Sequence, residues 1–227
     1  MYRLPWVDRI AAVASLTDAK RLQLFELVAA SPRPLGRDEV AEAAGMARST
    51  VSFHLDRLVR DGLLAVEFRK AAGRAGPGSG RPAKLYRPVG SEVNASVPDR
   101  NYDLAGELLA AAIEDSQAGG GPVAETLRAA AFRKGKELAE TAAGLEAFLA
   151  EAGYQPRPDG GGGYLLPNCP FHRLSRAHTA VVCDMNGAFL RGAAVGSGGQ
   201  EDCVAAAAGP GHCCARIVSR TDGAVPG

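Results

Sequence analysis

All five cysteines of this 227-residue chain fall between Cys169 and Cys214, after 168 residues that contain none. Three of the four histidines, His172, His178 and His212, share that segment. A chain so divided has to build two different things. Charge divides it too. Residues 1–90 carry 15 Lys and Arg against 9 Asp and Glu, whereas residues 91–227 carry 11 against 16. A basic half joined to an acidic, cysteine-rich half is the electrostatic pattern of a nucleic-acid-binding module coupled to a second function. With 46% hydrophobic residues the chain can fold around cores of its own. No apolar run reaches the roughly 18 residues of a membrane span, so no membrane partner and a cytoplasmic location are expected.

The basic half is punctuated like a small helical domain. Ala19 to Ala30 sets Leu22, Phe25, Leu27 and Val28 near helical spacing, and Ser31-Pro32 stops it. A second helix runs from about Arg37 to Ala44 and closes on Gly45. The third runs from about Arg48 to Asp61, with Val51, Leu55, Leu58 and Val59 as its apolar stripe and Gly62 after it. Two strand-like runs follow, Leu63 to Phe68 and Ala83 to Pro88, around a glycine-rich loop. Three helices and a hairpin predict a winged helix-turn-helix over residues 1–90. Residues 91–121 are expected to be a linker and dimerisation helix with Leu104, Leu108 and Ile113 as its seam. Residues 122–227 are expected to form an α+β sensor domain, which makes the chain α+β overall.

The third helix places Ser49, Phe53, Arg57 and Arg60 opposite its apolar stripe, with Thr50 and Ser52 beside them. Hydroxyls can reach bases or phosphates, an aromatic ring suits a thymine methyl, and Arg57 can reach a guanine edge. His54 flanks the buried face, where packing or a phosphate contact is expected. The hairpin adds Arg69, Lys70, Arg74, Arg81, Lys84 and Arg87, with no acid between Glu67 and Glu92. Such a wing fits a phosphate backbone or a narrow minor groove. The expected partner is a double-stranded DNA operator, met by a homodimer because half-sites come in pairs.

The cysteines stand at 169, 183, 203, 213 and 214, and no C-x-x-C occurs. Their ligands would therefore come from separate elements and meet only in the folded domain. If residues 212–218 form a strand, alternation turns Cys213 inward and Cys214 outward with Arg216. Thiolates converging in a partly buried site suit an iron–sulfur cluster or a thiophilic ion. The Cys169–His172 spacing also leaves open a structural Zn2+ site of Cys169, His172, Cys183 and Cys213, with the acidic half then a small-molecule-sensing domain.

The run Ala47-Arg48-Ser49-Thr50-Val51-Ser52-Phe53-His54-Leu55-Asp56-Arg57-Leu58, with Asp61-Gly62-Leu63, resembles the recognition helix of ArsR-type winged-helix regulators. Gly80-Arg81-Pro82-Ala83-Lys84-Leu85-Tyr86-Arg87 resembles the wing of the subset that includes the suf-operon iron–sulfur repressor. Asn168-Cys169-Pro170-Phe171-His172, Val182-Cys183-Asp184-Met185-Asn186 and Gly211-His212-Cys213-Cys214 resemble that group's C-terminal domain, which is similar to the 4-vinyl-reductase-type ligand domain. The resemblance implies a transcriptional repressor with a cluster on Cys169, Cys183 and Cys213, and Cys203 as the looser fourth ligand. His172, His212 and Cys214 are the alternates. The sequence departs from the family at Ala47, where a Ser, Thr or Asp cap is usual; its loss costs about 1 kcal/mol locally unless Ser49 caps a later start. No catalytic motif appears, and no enzyme activity is expected.

Overall fold

The computed structural model describes residues 5–69, 82–90, 92–207 and 213–219. The chain divides into two compact units, Met1–Ala95 and Ser96–Gly227. The first contains α1 (Trp6–Ser15), α2 (Ala19–Ala29), β1 (Leu35–Gly36), α3 (Arg37–Ala44), α4 (Arg48–Arg60), β2 (Leu64–Arg69) and β3 (Ala83–Pro88). Its antiparallel sheet has the order β1-β3-β2, with Val66 opposite Tyr86 and Leu35 on the other side of Tyr86. This is a winged helix-turn-helix, as the sequence predicts.

Local chemistry sets its boundaries. Asp18 caps α2 by accepting hydrogen bonds from the Lys20 and Arg21 amides at 3.0 and 3.1 Å. The Glu39 carboxylate reaches back to the Gly36 amide at 2.7 Å and fixes the start of α3. Gly45 ends α3 at φ +62°, a left-handed turn that a Cβ would disfavour, and so re-aims the chain into α4. Ala47 precedes α4 with no side-chain cap, as expected. Leu24, Val28, Val40, Val51, Leu55, Leu58, Leu64 and Tyr86 then close one core.

The second unit contains α5 (Tyr102–Asp115), α6 (Val123–Glu140), α7 (Leu145–Glu151), β4 (Arg157–Pro158), β5 (Tyr164–Leu165), α8 (His172–Ala177), α9 (Thr179–Gly196), β6 (Val204–Ala206) and β7 (Ala215–Ile217). A π-turn over Ser116–Gly120 ends α5, and a 3-10 turn over Glu201–Cys203 leads into β6. The antiparallel order is β4-β5-β7-β6. No helix among the described residues is long and apolar enough to cross a membrane.

Helices α6 and α9 lie backbone against backbone. A Cβ added to Gly135 would sit 2.0 Å from the Phe189 carbonyl oxygen, and one on Gly192 would sit 2.0 Å from that of Phe132. One on Gly196 would meet the Lys136 carbonyl at 2.3 Å. Only glycine permits that approach. Asn168 fastens another corner. Its amide donates to the carbonyls of Asp99 and Gly153, and its carbonyl accepts from Arg100. This network holds the segment that leads into Cys169.

The expected dimer seam on α5 is corrected here. Leu104 and Leu108 are buried in the core of the second unit, where α5 packs on α6, and only Ile113 is exposed, at 47%. An apolar stripe is the same signal whether a helix packs within its own chain or on a partner.

The glycines make a paired prediction for thermal unfolding. Gly106, inside α5, has nothing within 4 Å of an added Cβ, so Gly106→Ala should stabilise by about 1 kcal/mol through helix propensity. Gly135→Ala should instead destabilise by about 1–3 kcal/mol, because carbonyl backbone must move. A gain from both substitutions would contradict the close α6–α9 crossing.

Candidate nucleic-acid interface and thiol site

Helix α4 buries Val51, Leu55 and Leu58 and leaves Arg48, Ser49, Phe53, Asp56, Arg57 and Arg60 exposed, with Thr50 and Ser52 half-buried. Phe53 is 65% exposed, an unusual place for a large ring unless something covers it in use. Its edge meets the His54 ring with centroids 5.3 Å apart. His54 itself is buried at 7% exposure, and its Nδ1 lacks a hydrogen-bond partner among the described residues.

Acids on and beside this helix aim the cations, and the sequence reading assigned them no role. Arg57 Nε donates to Asp61 Oδ2 at 2.9 Å, the i, i+4 pairing that bends the guanidinium along the helix. Lys84 of β3 pairs with Asp56 of α4, and the Tyr86 hydroxyl reaches the same carboxylate at 3.4 Å. The Lys84 ammonium also lies 5.1 Å from the Tyr86 ring centroid. Hence the wing is tied to the recognition helix through one carboxylate. Arg87 Nε donates to Glu67 at 2.7 Å, and Arg69 lies 4.0 Å from the same residue. The pairs of Lys84, Arg87 and Arg69 are exposed on both sides, so each contributes little to stability and leaves its cation near the surface, whereas the Asp61 carboxylate is only 8% exposed. Lys70, Arg74 and Arg81 of the wing lie outside the described residues.

In the second unit, four of the five cysteines come together. Cys169 precedes α8, Cys183 stands in the second turn of α9, and Cys213 and Cys214 lead into β7. The Cys213 amide donates to the Leu166 carbonyl at 2.9 Å, which fixes the last pair beside the Cys169 segment. All five cysteines are free thiols. Cys213 is 1% exposed and Cys169 is also buried; Cys183 and Cys214 are half-buried.

The thiols share protons. Cys213 hydrogen-bonds to both Cys169 and Cys214 and keeps its own proton, held far above the usual thiol range by these bonds and by burial. The bond from Cys213 holds Cys169 below that range. Bonds from Cys213 first, then from Cys183 and Asn186, outweigh burial at Cys214 and bring it to about 6. Burial, with the bond to Cys214, pushes Cys183 up to about 12. Burial and neighbouring thiols thus push the four groups in opposite directions, Cys214 and Cys169 down and Cys213 and Cys183 up.

Two expectations about this segment change. Cys214 was expected to face outward; it belongs to the group, because β7 begins only at Ala215 and residue 214 lies in a bend where strand alternation does not apply. Cys203 sits in the 3-10 turn before β6. Burial, with the nearby Asp202 charge, raises its thiol. His172 and His178 are exposed at the ends of α8, and His212 lies outside the described residues. Among the described residues no three His, Cys, Asp or Glu side chains have the arrangement of a preformed metal site. Sequence reasoning also missed Tyr154 and Asn186, although Asn186 follows Cys183 by three residues on a helix, the spacing that shares a face.

Comparison with known proteins bears on the first unit. Residues 19–67, from α2 into β2, match the model of the IclR helix-turn-helix domain. No curated protein matches the chain. Among solved structures, the chain is similar to a homodimeric winged helix-turn-helix DNA-binding domain from Mycobacterium bovis, determined by solution NMR and described as a possible ArsR-family transcriptional regulator. The identity is 26% over 38% of this chain and 69% of that one, with a TM-score of 0.29. The order of helices, the wing and the matched domain together make this chain a DNA-binding transcription regulator that reads DNA through its N-terminal helix-turn-helix.

Proposed function

We propose that the chain is a homodimeric repressor whose thiol site, through an iron–sulfur cluster, reports iron–sulfur or redox status to the DNA-binding unit, and that it has no catalytic activity of its own. The observation that carries this reading is the convergence of Cys169, Cys183, Cys213 and Cys214 from three separate segments into one partly buried group. Core packing alone would scatter free cysteines among apolar neighbours. The donor set fits a soft metal centre, since all four donors are sulfur and one side of the group is half-exposed. Cys169, Cys183, Cys213 and Cys214 would hold the cluster, with Cys203 outside the set. When bound, such a cluster supplies a redox-sensitive, sulfide-bridged iron centre. A Zn2+ site through His172 has less support, because that side chain is exposed at the start of α8.

The coupling would be two-state. A filled site holds one arrangement of the recognition helices in the dimer and an empty site another, so each state binds an operator differently.

Anaerobic preparation followed by metal and acid-labile sulfide analysis tests the ligand set. Serine at Cys169, Cys183, Cys213 or Cys214 should each lower occupancy severalfold, whereas Cys203→Ser should stay near wild type. Full occupancy in the first four variants would return the thiols to packing, and metal without sulfide would favour zinc.

DNA binding should separate into two classes of variant. Ser49→Ala and Phe53→Ala remove groups on the exposed face of α4, so they should weaken a selected site more than random DNA while changing stability by no more than about 0.5 kcal/mol. Arg69→Ala and Lys84→Ala should weaken both DNAs alike and flatten the salt dependence by about one phosphate contact each. Salt titrations on both DNAs check this, and equal losses across all four variants would refute the assigned roles.

A further inference from the structure

Asn186 of α9 is 1% exposed, and it spends its whole amide on two kinds of neighbour. Its Nδ2 donates to the Cys213 sulfur at 3.1 Å and to the Cys214 sulfur at 3.5 Å. Its Oδ1 accepts from the hydroxyl of Tyr154, a residue with no exposed surface. A buried phenol needs an acceptor for its proton, and a buried amide needs partners at both ends. This orientation satisfies both residues at once. Turning the amide over would point its oxygen at the two electron-rich sulfurs and leave the Tyr154 proton facing an N–H group. Tyr154 therefore fixes which end of Asn186 meets the cysteines.

We propose that Asn186 is a positioning residue of the thiol site, aimed by Tyr154, whose two N–H···S hydrogen bonds hold the Cys213–Cys214 pair against α9. The inference rests on the reading that the thiols act as one site, but not on which group fills it. Apolar side chains of similar size could fill the space at position 186; only a donor can meet two sulfurs. The same logic governs sulfur sites in general, where outer hydrogen bonds set reactivity and potential.

The test uses the full chain, reduced and free of metal, labelled with iodoacetamide at one near-neutral pH. Peptide mass spectrometry then gives a rate for each cysteine. Asn186→Leu should free the Cys213–Cys214 pair and change labelling of Cys214 on the order of tenfold, the loss of about one hydrogen bond, with far-ultraviolet circular dichroism unchanged. Tyr154→Phe keeps the ring and its packing but releases the amide, so it should give a smaller, severalfold change at Cys214 and little change at Cys203. If Asn186→Leu fails to fold, Tyr154→Phe decides. Rates at Cys214 within twofold of wild type in the folded variants would overturn the proposal, since a space-filling role predicts that result.

A second arm adds Co2+ anaerobically to unlabelled portions of the same proteins. Loss of N–H···S bonds should move the sulfur-to-cobalt charge-transfer band to lower energy in both variants. An unshifted band would count against the proposal. Failure of the wild type to take up cobalt would count against the metal reading alone, because the labelling arm still decides the role of Asn186.

Discussion

The second unit depends on the contact between α6 and α9, where helix backbones touch at Gly135, Gly192 and Gly196. Carbonyl oxygens occupy the space that side chains would otherwise fill. This crossing fixes the line of α9, and α9 carries both Cys183 and Asn186. The remaining sulfurs are brought to it by short connections. Asn168, bonded to Asp99, Gly153 and Arg100, secures the Cys169 segment, and the Cys213 amide is bonded to Leu166. Close packing of the α6 and α9 backbones leaves α9 little room to shift, and so holds Cys183 and Asn186 in place.

The first unit uses charge where the second uses close packing. Its recognition helix lacks a side-chain cap at Ala47, and a carboxylate contact with the wing supplies a tie that the helix start does not: Asp56 receives Lys84 and Tyr86. Exposed ion pairs of this kind add little stability. They do restrict where the cations point, so that Arg57, Lys84 and Arg87 are presented from defined positions. Competition with phosphate would then exchange one carboxylate partner for another anion, which makes binding sensitive to salt.

Much of this was legible in the sequence because it was written in turns and periodicity. Gly45 and Gly62 mark the ends of α3 and α4, and the stripe of Val51, Leu55 and Leu58 gives the buried face of α4. Helix α1 was missed for a physical reason: it buries Arg9, Ala12 and Ser15 and exposes Val7 and Val13, so its apolar pattern points away from the core. At the thiol site the structure brings Cys169, Cys183 and Cys213 together with Cys214, which strand alternation would turn outward but which lies where the backbone bends; Cys203 stands in the turn beside Asp202. Tyr154 and Asn186 carry no motif. Their role comes from a contact between residues 32 positions apart, which only the folded chain brings together.

If the thiol site reports to the DNA-binding unit as proposed, its state changes DNA affinity. The most direct measurement is the affinity of the wild-type chain for one DNA fragment selected from genomic fragments, at fixed salt, with the site filled as purified anaerobically and again after the site is emptied by chelation under reducing conditions. A difference of at least about fivefold is expected between the two states, the lower range of allosteric coupling, and no such difference in the Cys213→Ser variant. Equal affinity of the filled and emptied wild type would contradict the proposal.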